Sequence, residues 1–98
     1  IILVPMSENA PQNNVNKCPC CDYYTLSDDP GWEICEICFW EFDGTTLEDQ
    51  DRLSGANHMT LRDARANFQK IGACDKKMVK NVIPVKHRAN YKREEPSE

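Results

Sequence analysis

The sequence of 98 residues predicts a small α+β domain that is held together by a metal ion. Two close pairs of cysteines stand beside short stretches of aromatic and β-branched residues, which favour strands. Further along, apolar residues recur at steps of three and four over residues 61–71, which indicates one amphipathic helix. A chain of this length forms one domain, and so small a core usually needs a disulfide, a metal ion or a partner for stability.

Residues 17–85 are predicted to form this domain, between two polar segments. Residues 1–16 are predicted to be flexible, and residues 1–5 to be non-native if Met6 is the natural start. Residues 86–98 are predicted to be a charged C-terminal tail. Polar segments of this kind bury too little apolar surface to offset the entropy that ordering them costs.

The predicted hairpin contains both Cys-x-x-Cys turns. Residues 23–26 form its first strand, residues 27–32 supply a Pro-Gly turn, and residues 32–34 form the return strand. The second cysteine pair then makes another tight turn, and residues 39–42 alternate again. A short helix with Thr46 as its N-cap is predicted over residues 46–53.

The predicted amphipathic helix begins after Thr60, a good N-cap, and ends before Gly72, a common residue just past a helix. Its apolar stripe consists of Leu61, Ala64, Phe68 and Ile71. This face is expected to pack against the aromatic side chains of the hairpin.

The cysteines carry the strongest chemical signal. Four of them follow the pattern C-x2-C-x13-C-x2-C, and these predicted metal ligands are Cys18, Cys21, Cys35 and Cys38. Four thiolates in a tetrahedron bind structural zinc, so the pattern predicts a zinc-ribbon-like or rubredoxin-like hairpin with two cysteine knuckles. Cys20 is expected to lie beside the metal as an additional thiol, and Cys74 to be a small buried side chain.

Three other interpretations use the same cysteines. Iron also binds four sulfurs, and it is kept as the alternative to zinc. A redox-active C-P-x-C motif usually opens a helix in a βαβ setting, whereas here the motif leads into a strand. Disulfides are not expected, because no signal peptide is visible and a cytoplasmic location is predicted.

Four stretches resemble the bacterial cysteine-rich CPCC family: CPCCDYYTL, GWEICEICFWEFD, GANHMTLRDARANF and KIGAC. The resemblance covers about residues 17–75. It implies a zinc-ribbon-like protein without known catalysis and, weakly, an immunity role beside a toxin. One departure is Asp22, which stands where zinc knuckles often have Gly, and Asp tolerates a positive φ better than most residues.

The charge is distributed unevenly and points to a protein partner. Residues 1–75 contain 5 Lys and Arg against 13 Asp and Glu, a net of −8, whereas residues 76–98 contain 7 against 3, a net of +4. An acidic metal domain repels a phosphate backbone and attracts a basic protein surface. The candidate partner-binding residues are Tyr24, Trp32, Trp40, Asp49 and Asp51.

The sequence therefore predicts a non-enzymatic, zinc-binding protein-interaction module, and in a narrower form an immunity protein that neutralises a toxin. No catalytic set of residues and no apolar stretch near 18 residues is present, so neither an enzyme nor a membrane partner is expected. The alternatives are a nucleic-acid-binding zinc ribbon that uses its basic C-terminal tail, and an iron or thiol redox protein.

Overall fold

The computed structural model describes residues 15–94, in which two small antiparallel hairpins surround one helix. The first hairpin pairs β1 (Asn16–Lys17) with β2 (Tyr24–Leu26), and the second pairs β3 (Leu53–Ser54) with β4 (Met59–Thr60). The helix is α1 (Leu61–Ile71). Residues 15–94 also contain three short 3₁₀ helices, namely η1 (Leu47–Asp49), η2 (Lys76–Asn81) and η3 (Val85–Asn90). The predicted flexible segment lies almost wholly outside the described residues.

The first hairpin differs from the prediction. Strand β2 pairs with β1 on the other side of the first cysteine turn, and not with residues 32–34. Across the second cysteine turn, Ile34 forms a single bridge with Glu41. The reason is that each Cys-x-x-Cys turn itself reverses the chain, so the residues on its two sides become neighbours. Alternation had indicated which residues are extended but not which segment they pair with.

Helix α1 confirms the predicted helix and both of its ends. The Thr60 hydroxyl accepts a hydrogen bond from the Asp63 N–H at 3.2 Å, as an N-cap does. Gly72 has a left-handed φ of 78°, and its N–H donates to the Phe68 carbonyl at 3.0 Å. The stripe is buried at Leu61, Ala64 and Phe68, but Ile71 is 43% exposed because the last turn extends beyond the core.

The predicted helix over residues 46–53 is much shorter than expected. Only η1 forms there, with the Thr46 hydroxyl accepting from the Glu48 N–H at 3.3 Å. None of its residues is buried, and the chain continues directly into β3. A helix with so few apolar residues has no packing energy to extend it past one turn.

The core is small and contains all six cysteines. The other buried apolar side chains are Leu26, Ile37, Trp40, Leu61, Ala64, Phe68 and Ala73. Trp40 is 0% exposed, which corrects its prediction as a partner-binding residue. It follows Phe39, whose positive φ turns the chain inward against the cysteines, so its indole belongs to the core cluster.

The end of the described chain runs back along the first hairpin. The Tyr24 N–H donates to the Lys92 carbonyl at 2.8 Å, and the Glu94 N–H donates to the Asp22 carbonyl at 2.9 Å. Arg93 forms a bridge with Tyr23. Residues 86–94 therefore pack on the domain, although the boundary placed after residue 85 remains a prediction. Within residues 15–94, no helix is long and apolar enough to span a bilayer.

Gly72 provides a test of the helix end. A Cβ at this position would lie 2.9 Å from Nη2 of Arg88, and the left-handed φ would strain any L side chain. We expect Gly72→Ala to lower the free energy of unfolding by about 1 kcal/mol, and the melting temperature by about 4–8 °C, in thermal unfolding. Gly55→Ala is the matched control, because its Cβ would meet nothing within 4 Å and its φ is not left-handed. Equal losses of stability in the two variants would contradict this account.

Candidate metal centre

The two Cys-x-x-Cys turns bring four sulfurs together. The Sγ atoms all lie within 4.8 Å of one another, and they belong to Cys18, Cys21, Cys35 and Cys38. Each of these cysteines is at most 1% exposed. The structure thus gathers the same four residues that the spacing predicts as ligands.

The sulfur separations fit a tetrahedral metal ion. A Zn–S bond of about 2.3 Å places two sulfurs of a tetrahedron about 3.8 Å apart. The Sγ atoms of Cys18 and Cys38 are separated by 3.6 Å, and those of Cys21 and Cys35 by 3.7 Å. A disulfide bond is only about 2.05 Å long, and all six cysteines are free thiols. The four cysteines form a candidate site for a metal such as zinc.

The first turn is closed by its own backbone. The Cys18 N–H donates to the Tyr23 carbonyl at 2.8 Å, and the Asp22 N–H donates back to the Cys18 carbonyl at 2.9 Å. Asp22 adopts a φ of 69°, which confirms the expectation that this residue takes the place of a knuckle Gly. The turn is therefore shaped by local hydrogen bonds that do not depend on a metal.

The second turn repeats this geometry. The Cys35 N–H donates to the Trp40 carbonyl at 3.0 Å, and the Phe39 N–H donates to the Cys35 carbonyl at 2.8 Å. Phe39 has a φ of 70°, a conformation that bulky residues rarely adopt. This positive φ was not among the features predicted from the sequence. The signal was available, because Phe39 follows its cysteine pair just as Asp22 follows the first one.

Hydrogen bonds single out one of the four sulfurs. Sγ of Cys35 accepts from the Thr25 hydroxyl at 3.1 Å and from the Ile37 N–H at 3.4 Å. Burial raises the pKa of this thiol, but hydrogen bonds from the other three cysteines and from Thr25 outweigh burial and hold the pKa well below its usual value. The hydrogen bonds from Thr25 and Ile37 therefore favour the thiolate form of Cys35, which is the form that binds a metal.

The other three thiols must lose protons to the metal. Burial, the largest cause in each case, raises the pKa values of Cys18, Cys21 and Cys38 above the ordinary thiol value. Because a metal binds thiolates and not thiols, binding at this cluster releases protons and weakens as the pH falls.

Two arginines hold the first turn from outside. The Arg65 guanidinium forms two hydrogen bonds of 3.1 Å with the Asp22 carboxylate, which is only 3% exposed, and another of 2.5 Å with the Pro19 carbonyl. Nε of Arg93 donates to the Cys21 carbonyl at 3.1 Å. Positive charge at this position also offsets the net charge of about −2 that zinc with four thiolates carries.

Cys20 and Cys74 are buried but lie outside the group of four. They are 1% and 2% exposed, respectively. Burial raises the pKa of the Cys74 thiol to about 12, so it stays protonated at neutral pH. The Cys74 N–H donates to the Cys38 carbonyl at 2.8 Å, which ties the end of α1 to the second turn. The role of Cys20 as an additional thiol beside the metal, and that of Cys74 as a packing residue, remain predictions.

The structure leaves the predicted partner-binding residues on separate elements. Trp32 is 68% exposed on the loop before the second turn. The Tyr24 hydroxyl donates to Glu94 at 3.1 Å. Asp51 forms an exposed ion pair of 2.6 Å with Arg62, and Asp49 a longer contact of 3.9 Å with Arg52. Trp32 is thus the candidate that presents the most free apolar surface.

The fold and the cluster define a class of protein: a small, cysteine-rich α+β domain with a candidate metal site. The chain belongs to the family described as Cysteine-rich CPCC, whose family model matches residues 16–89. This match confirms the resemblance and extends it through η2 and most of η3. Neither a curated protein nor a solved structure matches the chain significantly.

Single cysteine substitutions test the ligand assignment. We expect Cys18→Ser, Cys21→Ser, Cys35→Ser and Cys38→Ser each to abolish folding and metal binding, because structural zinc supplies much of the stability of such domains. Cys20→Ser should fold and keep one metal ion per chain. Elemental analysis and circular dichroism measure both effects. Loss of the metal from Cys20→Ser, together with its retention in Cys21→Ser, would overturn the assignment.

A second pair of variants tests the contact between α1 and the first turn. Arg65→Ala leaves the buried Asp22 carboxylate without its partner, so we expect the free energy of unfolding to fall by about 3 kcal/mol in urea. Arg62→Ala is the control, because it removes an exposed ion pair from the same helix and should change stability little. If the two variants were destabilised equally, the Asp22–Arg65 pair would not be a special support of the turn.

Proposed function

We propose that the protein is a non-enzymatic protein-interaction module in which one zinc ion holds the fold. Four buried sulfurs at tetrahedral separations complete the coordination of a zinc ion and leave no open position for a substrate or an activated water. The two matching turns support a zinc-ribbon-like arrangement. Zinc is preferred to iron as the structural ion, and a colourless protein with one zinc per chain is the result expected from absorption spectra and elemental analysis.

A protein partner is proposed because of the loop that precedes the second cysteine turn. Its two ends are joined by Glu33, whose carboxylate accepts from the Ser27 N–H at 2.9 Å and from the Ser27 hydroxyl at 2.5 Å. The Asn16 amide donates to the Ser27 carbonyl at 2.7 Å, and the Glu33 N–H donates to the Pro30 carbonyl at 2.8 Å. We call residues 27–34 the tryptophan loop. These hydrogen bonds hold the two ends of the loop together.

The tryptophan loop presents apolar groups to solvent. Trp32 is 68% exposed and Ile34 is 45% exposed, although both are large side chains that a folded protein usually covers. A rigid, exposed Trp is a typical anchor of a protein interface, because it binds a pocket at little cost in side-chain entropy. Asp28 and Asp29 are exposed on the same loop. The partner that fits is a protein with an apolar pocket bordered by Lys or Arg.

The narrower form of the proposal is an immunity protein that acts in the cytoplasm. A toxin that cleaves nucleic acid needs a basic surface, and the net charge of −8 over residues 1–75 is complementary to such a surface. The resemblance to the CPCC family supports this form, because it implies that some proteins of this kind are paired with toxins. The toxin would be encoded beside this protein, which supplies a defined partner for a binding experiment.

Calorimetric titration of the purified toxin candidate against this protein tests the proposal. We expect Trp32→Ala to weaken binding by about 2 kcal/mol, or roughly thirty-fold, because the variant removes the anchor of the interface. Leu53→Ala is the matched control, since Leu53 is also 67% exposed but lies on β3 outside the tryptophan loop. Unchanged binding by Trp32→Ala would exclude the loop as the interface, and failure of the unmodified protein to bind would exclude that toxin.

A further inference from the structure

The last part of the described chain forms a basic surface. Residues 76–93, which we call the basic segment, contain seven Lys and Arg and no Asp or Glu. The segment consists mainly of η2 and η3, joined by residues 82–84. The negative charge of the chain lies on other elements, such as the tryptophan loop and residues 47–51.

The two arginines of the basic segment fasten it to the domain. Nη2 of Arg88 donates to the Gly72 carbonyl at 3.1 Å, and the guanidinium lies 4.9 Å from the centre of the Phe68 ring. Arg93 donates to the Cys21 carbonyl and lies 5.1 Å from the Tyr23 ring centre. Cation–π contacts and hydrogen bonds to carbonyls therefore fix the position of the segment.

Four of the five lysines of the basic segment remain available to a ligand, whereas Nζ of Lys92 lies 5.3 Å from the centre of the Tyr24 ring. All five are exposed, namely Lys76, Lys77, Lys80, Lys86 and Lys92. Within residues 15–94, no carboxylate forms an ion pair with any of them. The ion pairs observed there involve Lys17, Arg52, Arg62 and Arg65. A fixed segment thus presents several uncompensated positive charges, which attract an anionic polymer.

A cavity opens beside one of these lysines, Lys86. It has a volume of about 440 Å³ and is lined by Glu36, Ile83, Lys86, His87, Asn90 and Tyr91. The Glu36 carboxylate accepts a hydrogen bond from the Tyr91 hydroxyl at 2.6 Å, so part of its hydrogen-bonding capacity is used within the protein. The rings of His87 and Tyr91 provide surfaces on which a base can stack, and Lys86 provides a contact for an anion.

We propose that the basic segment binds single-stranded nucleic acid. The lysines contact successive phosphates, and the cavity beside η3 receives a base. Basic residues that follow a backbone, together with aromatic groups for the bases, are the two parts of a single-strand site. The acidic charge of residues 1–75 disfavours nucleic acid on that surface, and the basic segment is a separate one. This activity is independent of the tryptophan loop and of its partner.

An anionic membrane is the competing ligand for the same charges. Val79 and Val85 are exposed on the segment, at 45% and 69%, respectively. However, η2 and η3 contain only six residues each, so neither provides the continuous apolar face with which an amphipathic helix enters a bilayer. The cavity and its rings favour the nucleic acid.

The test is fluorescence anisotropy of the full zinc-loaded chain with a labelled 20-nucleotide oligo(U) RNA. We expect binding at 50 mM salt that weakens as salt is added. Lys77→Gln/Lys80→Gln should lower the affinity about ten-fold, and the slope of log affinity against log salt should become shallower by about 0.7 for each phosphate that the variant no longer neutralises. The matched control is Arg52→Gln/Arg62→Gln, which changes the net charge equally on the acidic side and should bind as the unmodified chain does.

Further measurements separate the competing ligands. His87→Ala should reduce binding of the RNA, and a 20-base-pair duplex should bind more weakly than the single strand, because a paired base does not enter the cavity. The proposal is overturned if the RNA does not bind at 50 mM salt or if both double variants weaken binding equally. It is also overturned if phosphatidylserine vesicles bind while the RNA does not.

Discussion

The convergence of four cysteine sulfurs in the interior is the constraint on which the rest of the structure depends. All four are buried at separations that suit a tetrahedral ion, and the strands of the two hairpins are only two or three residues long. Strands this short cannot hold a fold by themselves. Because four buried thiolates would repel one another without a cation, a metal ion bound there would stabilise the same arrangement that the polypeptide holds.

Contacts from distant parts of the chain support the two cysteine turns. Helix α1 reaches the first turn through Arg65, and the end of α1 reaches the second turn through the backbone of Cys74. The basic segment reaches the first turn through Arg93. Each of these contacts ends at a turn backbone or at the residue beside it, so the sulfurs stay free to bind the ion.

The sequence could predict the cysteine cluster and the helix because both depend on local patterns. The fixed spacing of four cysteines indicates which sulfurs come together without any knowledge of the fold, and Thr60 and Gly72 mark a helix by their own conformational preferences. It could not predict the partner of β2, because alternation gives the face of a residue but not its neighbouring strand. It could not predict the burial of Trp40, because alternation does not show which of the two faces the rest of the chain covers. Nor does any local pattern reveal that Arg93 contacts Cys21, 72 positions away.

The separation of 72 positions between Cys21 and Arg93 has a consequence for the order in which parts of the protein fold during synthesis. The four sulfurs lie within 21 consecutive residues, whereas the Arg93 contact needs nearly the last residue of the described chain. During synthesis, contacts between neighbours form before distant ones, because closing a short loop costs less entropy. The four cysteines can therefore come together while the ribosome is still adding the residues around Arg93. A nascent chain would first present the cysteine cluster with one flank uncovered, and the basic segment would cover that flank only when Arg88 and Arg93 dock.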